Sequence, residues 1–512
     1  MPNRFEFGGV DLTAGEKPSA ARPSSETPFC IAILGDFSGR SSRGVVAKSI
    51  GERRALLIDR DNFDAVLSSL RVELHLATDE QVPIVFRFSE LEDFHPDRLF
   101  EHAAFGKLRR LRERLKDPST FREVAAELGL PPASPQSPEL QKAETAPAKP
   151  PSAVQLASGS LLEDLIEQTE ARISSEKPTH KRDEIHEFAQ QIAAKYAVSA
   201  PDPRGPELVA AVDRAVSDVM RRILHHPDFQ ALEAIWRATF LLVGQLETGE
   251  RLKLYLFDIS KAELAADLES SPELRNTGLF RLLVEEGVLT PGADPWAILV
   301  GDYRFGPGKE DVEVLARLSQ LAHRARASFL AEGSSSLLGA ASLATAPHPR
   351  EWKRTGEKSN WDEFRRLPAA ESVGLALPRF LLRLPYGEKT SPAESFDFEE
   401  FSGPAPHEAY LWGNPAFAVA LLLAESFGEA GWEMQPGTVS QLDKLPLHIY
   451  TSGGVPESKP CAEVLLTEDA VDRILEEGLM PLVSYRGRDS VRVARLQSIA
   501  APPAPLLGRW TR

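Results

Sequence analysis

Apolar positions along the chain fall into two blocks, separated by a stretch that has almost none. In the first block, Phe29–Leu34 is a near-continuous apolar run ending at Gly35-Asp36, the pattern of a buried strand that enters a loop. Apolar and polar residues alternate over Arg71–Leu76 and again over Pro83–Phe88, which predicts two strands facing each other across Thr78-Asp79-Glu80. A helix is expected from about Pro96 to Lys116, where Leu99, Leu108, Leu111 and Leu115 can share one stripe. Residues 28–130 therefore read as a small α/β unit, and residues 1–27, small, polar and Pro-bearing, as a loose arm.

The separating stretch begins with seven prolines in the 21 positions of residues 131–151. Proline at that density removes donors and favours extended chain, so residues 131–160 are expected to be a linker between two folding pieces. Residues 161–205 then predict two helices, the first with Leu161, Leu162, Leu165, Ile166 and Ile173 on one side, the second over about His186–Val198. From Pro206 to Val243 the period is helical, with Leu208, Val212, Val216, Val219 and Ile223 on one face. His225-His226-Pro227 punctuates it, and Phe229, Leu232, Ile235, Trp236 and Phe240 follow.

Beyond the helical stretch, strands are expected near Lys253–Asp258, Trp296–Tyr303, Val373–Leu377, Leu447–Tyr450, Val464–Leu466 and Pro481–Tyr485. Helices are expected near Asp311–Arg326, Pro415–Phe427 and Glu468–Glu477. This alternation makes residues 206–498 an α/β (α+β) domain, with residues 499–512 as a tail. Leu377–Tyr386 should be buried scaffold, its Arg379 and Arg383 satisfying backbone carbonyls or pairing with acids.

Charge narrows the partners. Lys and Arg number 59 against 75 Asp and Glu, a formal net charge of −16, so nucleic acid and anionic lipid are repelled unless a local basic patch intervenes. One such patch is Gly106–Lys116, with six basic residues and one acid, suited to a solvated helix face or to an acidic partner surface, another copy of the chain included. Cys30 and Cys461 lie far apart and match no metal or disulfide pattern, which fits a reducing cytoplasm. The N-terminus lacks an apolar signal region, and no run approaches the roughly 18 apolar residues of a membrane span, so no membrane insertion is expected.

The chemistry-bearing candidates are sparse. Gly35–Gly44 follows a strand as a phosphate loop would, but lacks the Gly-Lys-Ser/Thr ending and reads better as a surface loop. His225-His226 beside Asp228 suits capping more than ligation, because adjacent helical residues point about 100° apart. His180 and His186 around Asp183 diverge in the same way. Asp59, Asp61 and Asp64 fit a turn and helix start, without the glycine and distal Glu of a calcium loop. Ser334–Ser336 lacks the strand-turn-helix frame of a nucleophile. The sequence thus predicts no enzyme, no cofactor and no metal site.

Longer strings in both blocks resemble a known family. PFCIAILGDFSG, RRALLIDRDNFD at Arg53–Asp64 and LEDFHPDRL at Leu91–Leu99 resemble the small subunit of the type VI secretion contractile sheath over about Pro28–Phe121. SLLEDLIEQTEA, ILHHPDFQALEAIWR at Ile223–Arg237, ILVGDYRF at Ile298–Phe305, LPRFLLRLPYG at Leu377–Gly387, YLWGNPAFAVA at Tyr410–Ala420 and LPLHIY at Leu445–Tyr450 resemble the large subunit.

The resemblance implies a contractile tail-sheath-like fold in which a small α/β unit interlocks with a larger α/β domain preceded by helices. It implies a structural part of a bacterial, cytoplasmic machine. The implied partners are other sheath protomers, an inner tube protein and baseplate components. It also implies a recycling AAA+ unfoldase that grips an early helix of the large subunit, for which Leu162, Leu165 and Ile166 are the apolar stripe.

The chain departs from the family in two places. Trp432–Leu445 carries only part of a glycine-rich basic stretch, and family large subunits continue past the strand matching about Val491–Gln497, where this chain closes on APPAPLLGRWTR. The expectation is that the chain lacks the family's last segment and does not assemble tubes alone. A sheath-like adaptor or assembly regulator is the alternative reading.

Overall fold

The structure is a computed structural model that describes residues 4–7, 10–13, 23–45, 49–77, 83–130, 202, 204–353, 360–401 and 405–511. It divides into two compact units, one of Met1–Leu99, Met220–Glu394 and Phe398–Arg512, the other of Phe100–Val219 with Ser395–Asp397.

The first unit is built on a sheet of nine strands: β1 (Phe29–Gly35), β2 (Leu56–Ile58), β3 (Leu252–Asp258), β4 (Trp296–Phe305), β5 (Ser328–Gly333), β6 (Val373–Leu377), β7 (Gln441–Leu442), β8 (Met480–Ser484) and β9 (Val491–Val493). Their order is β7-β9-β8-β6-β5-β4-β1-β3-β2. Six neighbouring strands, from β8 to β3, run parallel, and antiparallel β2 and the β9-β7 pair flank them. The earliest strand is thus an inner one: Ile31 registers with Leu254 of β3 on one side and with Ile298 of β4 on the other.

All seven residues of β1 are buried, as a parallel strand covered on both faces requires. Cys30, Ala32 and Leu34 enter a cluster with Leu264, Leu283, Leu315 and Leu321. Ile31 and Ile33 alternate with them and so point to the other face. The helix Pro415–Ala430 lies on the sheet with twelve of its 16 residues buried, which explains a sequence apolar all round. Asn414 caps it, its side-chain oxygen accepting from the Ala416 N–H at 3.0 Å. The helix Pro227–Gln245 starts on a favourable N1 proline and buries Phe229, Leu232, Ile235 and Trp236 as the spacing predicts, whereas Phe240, expected with them, is exposed and Val243 is buried instead.

Several sequence expectations are corrected. The helix expected over Pro96–Lys116 is Pro96–Phe100, a 3-10 turn at Ala103–Phe105 and a second helix Gly106–Lys116, because the His102 ring caps the turn by accepting from the Ala104 N–H. Val464–Leu466 is not a strand; only Ala462 forms a bridge, to Phe380, before Thr467 caps the next helix. The strand near Leu447–Tyr450 is one arm of a hairpin, Ile449–Ser452 with Val455–Ser458, turning on Gly453 and Gly454, both at positive φ. Several strands are not anticipated: Arg4–Phe7 pairs with Val10–Thr13 inside the stretch expected to be a loose arm, Phe380–Leu381 pairs with Trp412–Gly413, and β2, β5 and β7 join the large sheet. β2 is a short edge strand, and β5 carries Ser328 and Glu332 among its apolar residues although every position is buried.

The residues after β9 pack across the N-terminal ends of the parallel strands. The Ile499 N–H donates to the Val373 carbonyl at 2.9 Å, and Ser328 Oγ donates to the Leu507 carbonyl at 2.7 Å. Arg509 donates to the carbonyls of Trp296 and Ala325 at 2.8 and 2.7 Å.

In the second unit, the helices Gly106–Lys116 and Pro118–Glu127 bury Leu115, Phe121 and Val124. The unit also takes residues 205–219 of the helix Gly205–Leu224, whose Val212 and Val216 are buried.

Candidate functional site

Within the first unit, two polar clusters tie the early segment to the later one. The first surrounds the loop after β1. Asp36 accepts from the backbone N–H groups of Arg40 and Ser41 at 2.9 and 2.8 Å, which folds the loop on itself. The Ser38 N–H donates to Asp258 at the end of β3, 3.1 Å away. Arg40 pairs with Asp258 and, at 3.0 Å, with Glu263, to which Arg53 adds a pair at 2.8 Å. Burial works against ionising Glu263, but hydrogen bonds from Arg53 and Arg40 outweigh it and hold the carboxyl down at about 2. The loop that resembles a phosphate cradle therefore uses its N–H groups and its arginine on this chain's own carboxylates.

The second cluster is built on Leu377–Tyr386. Phe380 and Leu381 are fully buried, and both arginines pair with acids as the sequence predicts. Arg379 reaches Glu463 at 2.6 Å, while Arg383 reaches Glu233 and Glu400, both at 2.8 Å. Arg237 completes it, donating to Glu233 at 2.6 Å and to the Tyr386 hydroxyl at 3.0 Å. Burial opposes the charge on Glu400, yet Arg383 and the hydrogen bond from His225 keep its carboxyl at about 2. A cavity of about 540 Å³ opens beside the cluster, lined by Leu91, His95 and Asp97 together with Arg237, Arg383 and Tyr386. The His95 ring meets Tyr386 edge-on at 4.9 Å. Two arginines facing two glutamates leave the centre balanced, an arrangement for joining segments rather than for moving a proton or holding an anion.

The other sequence candidates resolve into local structure. His226 caps its helix by accepting from the Asp228 N–H at 3.2 Å, and His225 turns to Glu400, so the pair does not converge. Asp59 closes a turn by accepting from the N–H groups of Asp61 and Asn62, with Asp64 in the helix turn that follows. Ser334 caps a 3-10 turn containing Ser336.

In the second unit, the basic run of Gly106–Lys116 is partly committed. Arg112 pairs with Asp213 at 2.5 Å, Arg114 with Glu127 at 2.8 Å, and Arg109 donates to the Glu101 carbonyl. Lys107, Arg110 and Lys116 of the same run are exposed, so about half of the basic residues still face solvent. His180, Asp183 and His186, and the stripe Leu162, Leu165 and Ile166, lie outside the described residues.

Among the described residues there is no group of three or more His, Cys, Asp or Glu placed to hold a metal, and no helix long and apolar enough to cross a membrane. The carboxylates of both clusters, Asp258, Glu263, Glu233, Glu400 and Glu463, are the members that sequence reasoning missed. Glu233 had one usable signal, a charge on the buried face of a helix between Leu232 and Trp236.

Fold and clusters together define a two-part α/β scaffold, in which an early segment supplies an inner strand and ionic clamps to a later domain. The chain belongs to the family described as "EvpB/VC_A0108, tail sheath N-terminal domain" (VipB), which matches residues 206–500. Residues 10–122 match the family described as "Type VI secretion system, VipA, VC_A0107 or Hcp2", so one chain carries both sheath modules. The type VI secretion system sheath protein TssC1 of Pseudomonas aeruginosa is 33% identical over 304 residues, covering 58% of this chain and 61% of the relative. The chain thus spans about three fifths of that relative's length. The string SLLEDLIEQTEA lies outside both family matches.

Proposed function

We propose that this chain is a fused small-plus-large subunit of a type VI contractile sheath, a structural part that packs around an inner tube and contributes to contraction-driven protein delivery. The observation that carries the reading is the place of β1. A strand from the small-subunit match lies between β3 and β4 of the large-subunit match, so the two modules make one sheet. Fusion fixes their ratio and raises their effective concentration to roughly millimolar. The domain plan is a small module over 28–130, a linker over 131–160, helices over 161–205, a large module over 206–498 and a tail over 499–512.

The same reading makes the protein non-enzymatic and cytoplasmic. It makes other sheath subunits its neighbours through an interface that repeats without closing. Inner tube protein and baseplate components are the further partners, and a recycling AAA+ unfoldase would grip Leu162, Leu165 and Ile166. Electron microscopy of material isolated from the native host with this chain tagged tests the proposal. Hollow striated tubes that bind antibody to the tag along their length are expected. Tubes free of the tag, with the chain found only in small species, would overturn it.

A further inference from the structure

At the foot of the hairpin Ile449–Ser458, three side chains form a hydrogen-bonded line. Glu463 Oε1 lies 3.3 Å from His407 Nε2, and His407 Nδ1 lies 3.3 Å from Lys459 Nζ. Glu463 is an anion: burial disfavours its charge, but His407 and Arg379 outweigh that and hold its carboxyl at about 2. As a carboxylate it only accepts, so His407 carries its proton on Nε2 and turns the bare Nδ1 lone pair toward the lysine. The imidazole is fixed by stacking on Trp412, with ring centres 5.0 Å apart. Lys459 Nζ is walled by Tyr410 and Trp412, 5.2 and 5.5 Å from their ring centres. Burial lowers the lysine's pKa against the pull of Glu463 and Glu408.

An orienting carboxylate, an imidazole with its free nitrogen outward and a half-buried nucleophile are the parts of an activated amine. The rings and Glu463 favour the ammonium. Burial is the counterweight, and the imidazole can accept the proton that the nitrogen sheds on acylation, since the imidazolium then lies beside the Glu463 carboxylate.

We infer that Lys459 is a covalent acylation site whose reagent is a small acyl phosphate. The free-amine form of Lys459, favoured by burial, attacks the acyl carbon, and His407 takes the proton that the nitrogen then sheds. The new C–N bond forms as the C–O bond to phosphate breaks, phosphate leaves with the electron pair, and the surplus protons pass to water. The product is a neutral amide, which ends the cation–ring contacts with Tyr410 and Trp412. Those contacts sit under the hairpin base, where the Lys459 N–H donates to the His448 carbonyl at 2.8 Å and the Tyr410 hydroxyl meets His448 Nδ1 at 2.9 Å.

The test is the initial rate of acetylation of the folded full chain by acetyl phosphate at neutral pH, read lysine by lysine by peptide mass spectrometry. Lys459 should react at least about tenfold faster than the exposed Lys389, as an adjacent general base provides. His407→Phe keeps a ring against Trp412 but removes both nitrogens, and should bring Lys459 down to the Lys389 rate or below while circular dichroism stays unchanged. In the unaltered chain, the Lys459 rate should level off at a lower pH than the Lys389 rate. A Lys459 rate no higher than that of Lys389, an unchanged rate in folded His407→Phe, or coincident pH profiles would each overturn the assignment. Should the variant not fold, the rate ratio and the pH profile decide alone.

Discussion

The indole N–H of Trp236 donates to the Phe37 carbonyl at 2.9 Å, and the two rings meet edge to face at 5.2 Å. Both residues are fully buried, and Phe63 adds a second edge contact to the same indole at 5.6 Å. A residue of the large module thus closes the turn that follows the small module's inner strand.

Replacing that indole should loosen the joint in two grades. Trp236→Phe leaves the Phe37 carbonyl without its donor and should cost about 1–3 kcal/mol. Trp236→Ala also empties the space and should cost about 3–5 kcal/mol. Urea denaturation followed by far-ultraviolet circular dichroism gives both values. Equal midpoints for Trp236→Phe and the parent would show that the hydrogen bond contributes nothing.

Arg383 holds two carboxylates that have almost no access to water: its side chain is 7% exposed, and those of Glu233 and Glu400 are 0% and 1%. Arg383→Met should therefore cost about 3–5 kcal/mol, because it strands buried charge rather than merely removing a contact. Adding Glu400→Gln to Arg383→Met should return part of the loss, since one stranded charge is then gone. Thermal unfolding of the single and double variants separates the outcomes, and a double variant less stable than the single one would refute the account.

The pH dependence has two limbs. Burial pushes Glu332 up to about 7 despite Arg379 and Arg304, and pushes Asp302 up to about 7 as well. These groups keep protons that the unfolded chain releases near pH 4, so stability falls as pH rises from about 4.5 to about 7 and is level above. Glu263, Glu400 and Glu463, held at about 2, act in the opposite sense. Their contribution is complete above about pH 4.5 and is lost as pH falls toward 2. Glu332→Gln should flatten the upper limb, and melting temperatures between pH 5 and 8 will show whether the variant's slope is the smaller. Parallel curves would place the Glu332 pKa elsewhere.

A specific protease site inserted within residues 131–151 should be cut readily, since proline at that density offers little to pack. The two fragments should still elute together under native conditions and part only in denaturant, because β1 is hydrogen-bonded to β3 and β4 from the other fragment. Separation on a native sizing column would mean that covalent linkage, not the shared sheet, holds the modules.

Much of this architecture is legible in local pattern. The apolar run at Phe29–Leu34 and the alternation at Val72–Leu76 each map onto one strand, and the helical period from Leu208 to Trp236 maps onto two helices that part at Pro227, because each element buries a face. The interior place of β1 is not written in its own residues: a buried strand looks the same whichever strands flank it. β5 was hidden for another reason, since Glu332 reads as a surface residue until Arg304 of the adjacent strand is known to face it at 3.1 Å. Of the clusters, sequence could say that Arg379 and Arg383 need acids, but not which, because Glu233 and Glu463 come from positions about 80 to 150 residues away along the chain. The line Glu463–His407–Lys459 is invisible for the same reason; only the fold brings residue 407 beside 459.

The inner position of β1 also has a consequence for biosynthesis. The strand leaves the ribosome before either neighbour exists, with about 220 residues separating Gly35 from the start of β3 and about 260 from the start of β4. At about 5–20 residues per second, a wholly apolar ribbon waits on the order of ten seconds to a minute for both of its edges to be covered. Translation speed and chaperone supply therefore bear on the yield of this chain more heavily than on a protein whose first strand pairs with its second. Slowing elongation between residues 35 and 305 should lower the soluble fraction, and raising holdase levels should restore it.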